Sequence, residues 1–543
     1  MSAPVEAEPV TARVLICDAL SEEAREIFAE RGIPAEVRTG LGEDELVRAV
    51  AGVEALVVRS ATKVTRRVIA AAPRLAVVGR AGVGVDNVDL DAATEHGVVV
   101  LNAPAGNTTA TAELALALLL SLARNVPRAD RAVRSGAWRK GGLVGSELTG
   151  KTLGVVGLGR IGRALAERAL GLRMEVLAHD PYIAGAGGIA GAKAPVEGVD
   201  MVGLDELLER SDFVSLHLPL SDETRHLLSR ERLARMKRGA RLINAARGGL
   251  VDEAALLEAL ESGRLRGAAL DVFEREPPPV DHPLLAREDV VLTPHLGASS
   301  DEAQRSVAVE IAREVCDFLE QGVAQNAVNA PPLSRASLRE IAPYVRLAER
   351  MGSFLAQRCR APLRVLEVAL SGEIAGKDAG HVRLALLAGA LRHGSEGPVN
   401  YVNAPRLAAE RGLALVVAAP GEPEFLHGLV EARAFAGEAS HRVAGTVFGR
   451  EPRFVEVDGV RLDLVPGGPL LLTRHRDQPG VVGLLGTVLG RYGINIKRIE
   501  LGPTGEGGAP AAGFLSLYAD PPREVLEEIA ALEPMRDVQL VHL

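Results

Sequence analysis

The run LGVVGLGRIGRALAERAL constrains this chain more than any other stretch. Apolar, β-prone residues lead straight into Gly157, Gly159 and Gly162, and a helix-forming sequence follows at once. In that strand-to-helix setting, G-x-G-x-x-G spacing predicts a parallel α/β unit that binds a dinucleotide. The first glycine makes the tight turn, the second admits the pyrophosphate to the backbone, and the third lets helix and strand pack closely. The helix N-terminus then meets the negative charge. Asp180 closes the next β-prone run, 18 residues beyond Gly162. A carboxylate there accepts hydrogen bonds from a ribose diol and repels a 2′-phosphate, which predicts NAD over NADP.

Alternation of β-rich and helical runs extends this unit in both directions. From Ala12 to about Ala103 come ARVLICDA, EALVVRS, RLAVVG and GVVVLN; from Lys151 come six more, ending in RLINAARGG, GAALDVF and VVLTPH. Two parallel sheets are expected. Thr108 to Asn125 reads as a long helix whose apolar excess predicts burial, and a second long helix after Gln304 ends near Gln321 at Gly322. Beyond QNAVNAPPLS the style changes, to an α+β module from Leu333 to about Gly468 and then a βαββαβ tail. At 543 residues the chain is long enough for three or four domains.

Composition removes several function classes. A net charge of −9 without a basic block, and 3% aromatic residues, weigh against nucleic acid as a partner. Three widely separated cysteines fit neither a disulfide framework nor a metal site, and a reducing cytoplasm is expected. The opening MSAPVEAEPVTA has no export-signal character, and the longest apolar run is about half a membrane span, so no membrane partner is expected.

Three polar clusters follow the fingerprint in order: Arg247 in NAARGG, Asp271 and Glu276 in ALDVFEREPP, and His295 in TPHLGAS. Each lies at or just after the carboxyl end of a predicted strand, the edge where such sheets bind ligands. Oxidising a 2-hydroxy acid needs a base for the hydroxyl proton and a cation for the carboxylate. Histidine titrates near neutrality and suits the first role, helped by a neighbouring carboxylate. The arginine fork suits the second.

The segments GLGRIG, HLPL, NAARGGLVDEAAL, GAALDVFEREPP and PHLGAS resemble the D-isomer-specific 2-hydroxyacid dehydrogenases. With VRSATKVT, GRAGVGVDNVDL, GAWRKGGLVGSELTGKTLG, VNAP and the tail, the likeness narrows to the long-form branch that oxidises 3-phosphoglycerate, over residues 12–543. That resemblance implies a discontinuous substrate domain (12–104 and 296–325), an NAD-binding domain (105–295), an intervening domain (333–467) and an ACT-like regulatory domain (468–543). It implies Arg247 on the substrate carboxylate, Glu276 and His295 as the acid/base dyad, and NAD contacts at Gly157, Gly159, Arg160, Ile161, Gly162, Asp180 and Asp271. Arg59, Asn107, Arg139 and Lys140 match positions that hold substrate phosphate or carboxylate, the last two offered by a partner subunit. Val83 departs from relatives with a polar residue there.

The implied reaction is NAD-dependent oxidation of 3-phospho-D-glycerate to 3-phosphohydroxypyruvate, the first step of L-serine biosynthesis, by a homo-oligomer that is either a dimer or a tetramer. No metal is implied. His475, Asp477 and Asn495 match positions that hold L-serine between paired ACT domains, as a feedback effector. Lys377, Arg383, His393, Asn400 and Asn403 belong to a module implied to hold a second anionic effector. Two other functions stay open: a glyoxylate or hydroxypyruvate reductase, for which an amino-acid-sensing tail has no evident use, and a corepressor-like dinucleotide-binding scaffold, which would not need Arg247, Glu276 and His295 together.

Overall fold

The structure, a computed structural model, describes residues 13–138, 140–183, 194–376, 379–395, 397–419, 428–503 and 511–543. Its first sheet has five parallel strands in the order Ala35–Val37, Val14–Ile16, Ala55–Val58, Val77–Arg80, Val99–Asn102. The second has seven, all parallel: Val290–Leu292, Leu265–Leu270, Ala240–Asn244, Phe213–Leu216, Thr152–Val156, Glu175–His179, Val199–Met201. Two edge strands, Ala35–Val37 and Val199–Met201, were not expected from the sequence. Each has only three residues, too few for a periodic signal, and pairing with a neighbour makes them strands.

Chain order and spatial order part company at the helix Asp301–Gln321. It follows the second sheet in sequence, yet Val307, Ile311 and Val315 pack into the core of the first, against Val14, Val57 and Val77. The next segment stays there: Asn326 O accepts Asn102 N at 3.2 Å, and the Asn329 side chain bonds Val98 O and Val100 N, both at 2.9 Å. The helix Thr108–Arg124 buries Ala115, Leu118 and Leu119 in the second core, as its apolar excess predicted.

The α+β module has a six-stranded mixed sheet backed by the helices Arg335–Arg358 and Ala379–Arg392. One helix precedes the first strand and the other follows it, where the sequence suggested a helical pair leading into the strands. The helices touch backbone to backbone through Gly352 and Gly389, where an added Cβ would stand 2.0 Å from Leu386 O and Glu349 O respectively. Asn400 and Asn403 form a self-bonded loop that docks on the first sheet: Asn400 Nδ2 donates to Gly97 O at 2.8 Å, and Val402 enters that sheet's core. Their amides hold contacts within the chain, and Lys377 lies outside the described residues.

The tail forms an antiparallel sheet in the order Ile496–Pro503, Ala511–Leu517, Pro469–His475, Met535–His542. Its helices Val481–Arg491 and Arg523–Ala530 cover one face, on Leu471 and Leu515. Leu470, Leu472 and Phe514, on the other face, join the core of the α+β module, so strand alternation divides one run of leucines between two cores. Among the described residues, no single helix is long and apolar enough to cross a membrane.

Candidate active site

The glycine turn lies where the second sheet changes direction, with strand Thr152–Val156 between Glu175–His179 and Phe213–Leu216. Ligands of such sheets bind at that point. Gly157 has φ +93°, and a Cβ on it would stand 2.4 Å from His217 O; one on Gly162 would stand 2.1 Å from Gly157 O. Gly159, at the N-cap of the helix Arg160–Gly171, faces open space. Two glycines thus permit the turn, and the third leaves exposed backbone for a pyrophosphate. Arg160 and Ile161 open the helix. Asp180 follows the adjacent strand and accepts Leu158 N at 2.9 Å and Tyr182 N at 3.0 Å, so it is tied to the glycine turn while retaining lone pairs for a diol. These donor and acceptor sets fit a dinucleotide.

Strand Leu265–Leu270 runs into Asp271, which is 1% exposed. Its carboxylate accepts Thr293 Oγ1 at 2.6 Å, Leu296 N at 2.7 Å and Gly297 N at 3.0 Å, and its carbonyl accepts His295 N at 2.8 Å. Asp271, expected to contact the cofactor, is tied by three of these bonds to the loop that carries His295, with a lone pair left on Oδ2. That loop holds His295 at φ +56°, a left-handed conformation costly without such bracing. The imidazole Nδ1 bonds Glu276 Oε2 at 2.7 Å, and Glu276 Oε1 accepts Phe273 N at 3.1 Å. Glu276 raises the His295 pKa through this bond, against the opposing effect of burial. Burial pushes the Glu276 carboxyl up, but the bond to and charge of His295, the Phe273 amide and the charge of Arg247 together outweigh it and the net shift is downward. An apolar cavity of about 410 Å³ opens beside the pair, between Phe273, Leu285, Leu292 and Pro294.

Arg247 follows strand Ala240–Asn244 in a turn that the Asn244 side chain holds, donating to Arg247 O at 2.8 Å and accepting Ala246 N at 3.1 Å. Its Nε lies 3.1 Å from Asp86 Oδ2, and its charge is felt by both Glu276 and His295. On the facing edge, the loop Gly82–Val83–Gly84 wraps two guanidinium groups. A Cβ on Gly84 would stand 1.8 Å from Arg247 Nη2, and one on Gly82 would stand 1.6 Å from Arg80 Nη1. Val83 offers its carbonyl to Asn102 Nδ2 at 2.7 Å.

Arg80 escaped the sequence reading. It ends strand Val77–Arg80, its Nε is buried without a partner among the described residues, and burial, with Arg247 and Arg59 adding repulsion, lowers its pKa to about 10. With seven lysines among 62 basic residues the chain is rich in arginine, so no single one stands out. Its signal was its place, last in a β-rich run and just before a glycine loop. Arg59 ends the neighbouring strand's turn, its N–H bonded to Asp18 Oδ2 at 2.5 Å. Asn107 occupies the N-cap position of the helix Thr108–Arg124 but does not cap it, and its Oδ1 is buried without a partner among the described residues. Lys140 is exposed; Arg139 lies outside the described residues.

The effector candidates divide. His475, 3% exposed, and Asp477 line one cavity of about 320 Å³ with Pro479, Val481 and Leu501. Burial lowers the His475 pKa, with Asp477 opposing it. Asn495 does not line that cavity. It lies beyond the far end of the helix Val481–Arg491, whose 11 residues span about 16 Å.

Comparison with known proteins finds three successive domain matches. The D-isomer specific 2-hydroxyacid dehydrogenase NAD binding domain matches residues 116–297, the D-3-phosphoglycerate dehydrogenase intervening domain residues 340–458, and the ACT domain residues 470–534. D-3-phosphoglycerate dehydrogenase from Archaeoglobus fulgidus is 41% identical over 532 residues, 98% of this chain and 100% of that protein. The Bacillus subtilis D-3-phosphoglycerate dehydrogenase is 39% identical over 536 residues, 98% of this chain and 99% of the other. Among solved structures, the Thermus thermophilus TT0316 protein superposes with TM-score 0.52 at 42% identity, over 58% of this chain and 99% of its own. The NAD+-bound 3-phosphoglycerate dehydrogenase of Entamoeba histolytica gives 0.50 at 25% identity, over 59% and 99%. With near-complete coverage at about 40% identity and three successive domain matches, the chain belongs to the D-3-phosphoglycerate dehydrogenase family within the D-isomer-specific 2-hydroxyacid dehydrogenases.

Proposed function

We propose that this enzyme oxidises 3-phospho-D-glycerate to 3-phosphohydroxypyruvate with NAD, the step that opens L-serine biosynthesis. The observation that carries the proposal is the cluster of Arg59, Arg80 and Arg247, the last of which also reaches the His295–Glu276 pair with its charge. A carboxylate alone needs one fork; a substrate that also bears a phosphate dianion needs more positive charge.

Because Nδ1 of His295 meets a carboxylate, the neutral ring carries its proton there and leaves Nε2 as the base for the substrate hydroxyl. Glu276 stabilises the imidazolium that forms. Arg247 takes the substrate carboxylate as a bidentate fork. Arg59, Arg80 and Asn107 take the phosphate, joined by Arg139 and Lys140 of a second subunit. Gly157, Gly159, Arg160, Ile161, Gly162, Asp180 and Asp271 hold the cofactor, and Asp271 also braces the loop that carries His295. Bound NAD supplies the hydride acceptor. The enzyme works as a cytoplasmic homo-oligomer, dimeric or tetrameric, without nucleic-acid or membrane partners, and L-serine binds at the tail.

Steady-state NAD reduction with 3-phosphoglycerate, D-glycerate and D-lactate tests this reading. The phosphorylated substrate should lead in kcat/KM by about 100-fold or more, since buried cations left without an anion penalise the others. Comparable efficiencies on all three would return the chain to the general 2-hydroxyacid reductases.

A further inference from the structure

On the edge of the second sheet opposite the catalytic one, a cavity of about 110 Å³ lies at the amino ends of strands Ala240–Asn244, Leu265–Leu270 and Val290–Leu292. Arg128 and Arg131 line it from the helix Val126–Arg134, Arg241 and Arg266 from the strands, and Glu288 and Asp289 from the turn before the edge strand. Arg241 is its buried member: 5% exposed, it stacks 5.2 Å from the centre of the Phe213 ring and donates to Ser146 Oγ at 3.3 Å. Strand pairing explains why two arginines meet there. Ala240 stands opposite Leu265 but Arg241 opposite Gly267, so the ladder skips Arg266. A bulge of this kind re-aims a side chain.

The charges around the cavity do not cancel. Asp289 is held by Arg287 through both oxygens, at 2.9 and 2.8 Å, and Glu288 lies 3.4 Å from Arg128. Arg266 donates to a neutral carbonyl, Val144 O, at 3.2 Å. Arg131, Arg241 and Arg266 therefore have no ion pair among the described residues. The helix Thr108–Arg124 ends at the cavity through Asn125, but a helix C-terminus supplies only about half a negative charge. Burial lowers the Arg241 pKa, the charge of Arg266 lowers it further, and Asp212 opposes both. A buried guanidinium cannot shed its proton and is costly unless an anion meets it. We propose that this cavity is an anion site separate from the catalytic crevice, in which Arg131, Arg241 and Arg266 donate to a small oxyanion of the phosphate class. An anion there ties the helix Val126–Arg134 to the sheet and takes no part in proton or hydride transfer.

Inorganic phosphate is the probe, with the full-length enzyme. Total binding is read by equilibrium dialysis, and binding in the crevice is read separately as competition with 3-phosphoglycerate. Wild type should bind one more phosphate per chain than the competition accounts for. Arg131→Met and Arg266→Met, both at the exposed rim, should each weaken that phosphate about 10-fold, the loss of one charge-assisted bond, with KM, kcat and the competition constant within about twofold of wild type. Arg241→Met should remove it, and Arg241→Lys should retain part of it. Should the buried variants not fold, the two rim variants decide alone. A wild type that binds no phosphate beyond the competing one at millimolar concentration overturns the proposal, as does an isotherm unchanged in both rim variants. If the rim variants instead alter sedimentation at unchanged phosphate binding, these arginines meet a carboxylate of a neighbouring subunit, and the anion site is equally refuted.

Discussion

The catalytic crevice and the tail draw on the same kind of sequence evidence and end up differently built. In the crevice, Arg247, Glu276 and His295 are up to 48 positions apart in sequence, yet they sit at the carboxyl ends of neighbouring parallel strands and meet within one chain. In the tail, His475, Asp477 and Asn495 fall within 20 positions, and a helix separates the last from the first two. A parallel sheet brings all its strand ends to one edge, so residues after several strands converge on their own. A βαββαβ sandwich places successive connections at opposite ends, so residues on both do not meet within one copy. Closeness in sequence is a poor guide to which of these applies.

The largest expected effect tests the self-sufficient side of that comparison. His295→Ala should lower kcat by roughly 10²- to 10⁴-fold with NAD affinity little changed. Mixed oligomers of His295→Ala with Arg247→Ala subunits should recover almost nothing, because each crevice needs both residues in the same chain. Substantial recovery would mean that the acid–base core is shared between subunits.

Next in size is the phosphate side of the crevice. Arg80→Met should cost about 10- to 100-fold in kcat/KM for 3-phosphoglycerate, the range for a charge-assisted hydrogen bond, and clearly less for D-glycerate. Equal losses on both substrates would assign Arg80 to the fold instead.

A smaller effect concerns pH. Glu276 raises the His295 pKa by favouring the charged ring, so Glu276→Gln lowers it. Oxidation starts from the neutral ring, which then appears at lower pH, and the ascending limb of the oxidation profile should move to lower pH with a reduced plateau. Reduction starts from the imidazolium, so its descending limb should move the same way. Limbs that stay put would remove Glu276 from the titration.

The smallest effect belongs to the tail. Asp477→Ala and Asn495→Ala should each weaken L-serine binding, read by calorimetry, without loss of basal turnover. Mixed with each other in a dimer, they should regain one intact site of two. No recovery would place all three residues around a site within a single copy, against the separation seen here.

Local chemistry made much of this molecule readable from sequence alone. The glycine turn, the strand-end order of Arg247, Asp271, Glu276 and His295, and the tail's βαββαβ succession rest on backbone freedom, periodicity and turn residues, which act over a few positions. The short edge strands Ala35–Val37 and Val199–Met201 carry no such signal, because pairing and not propensity creates them. The return of Asp301–Gln321 to the first sheet came from family resemblance, since the helix carries an apolar face but no statement of which core it enters. Tertiary structure alone decided that Arg80 is a buried, crowded cation, that Asp271 braces the His295 loop, and that the loop of Asn400 and Asn403 docks one module on another. Each of these depends on which groups lie within a few ångströms after folding, and on how much water the fold removes from around a charge. Neither quantity exists in the unfolded chain.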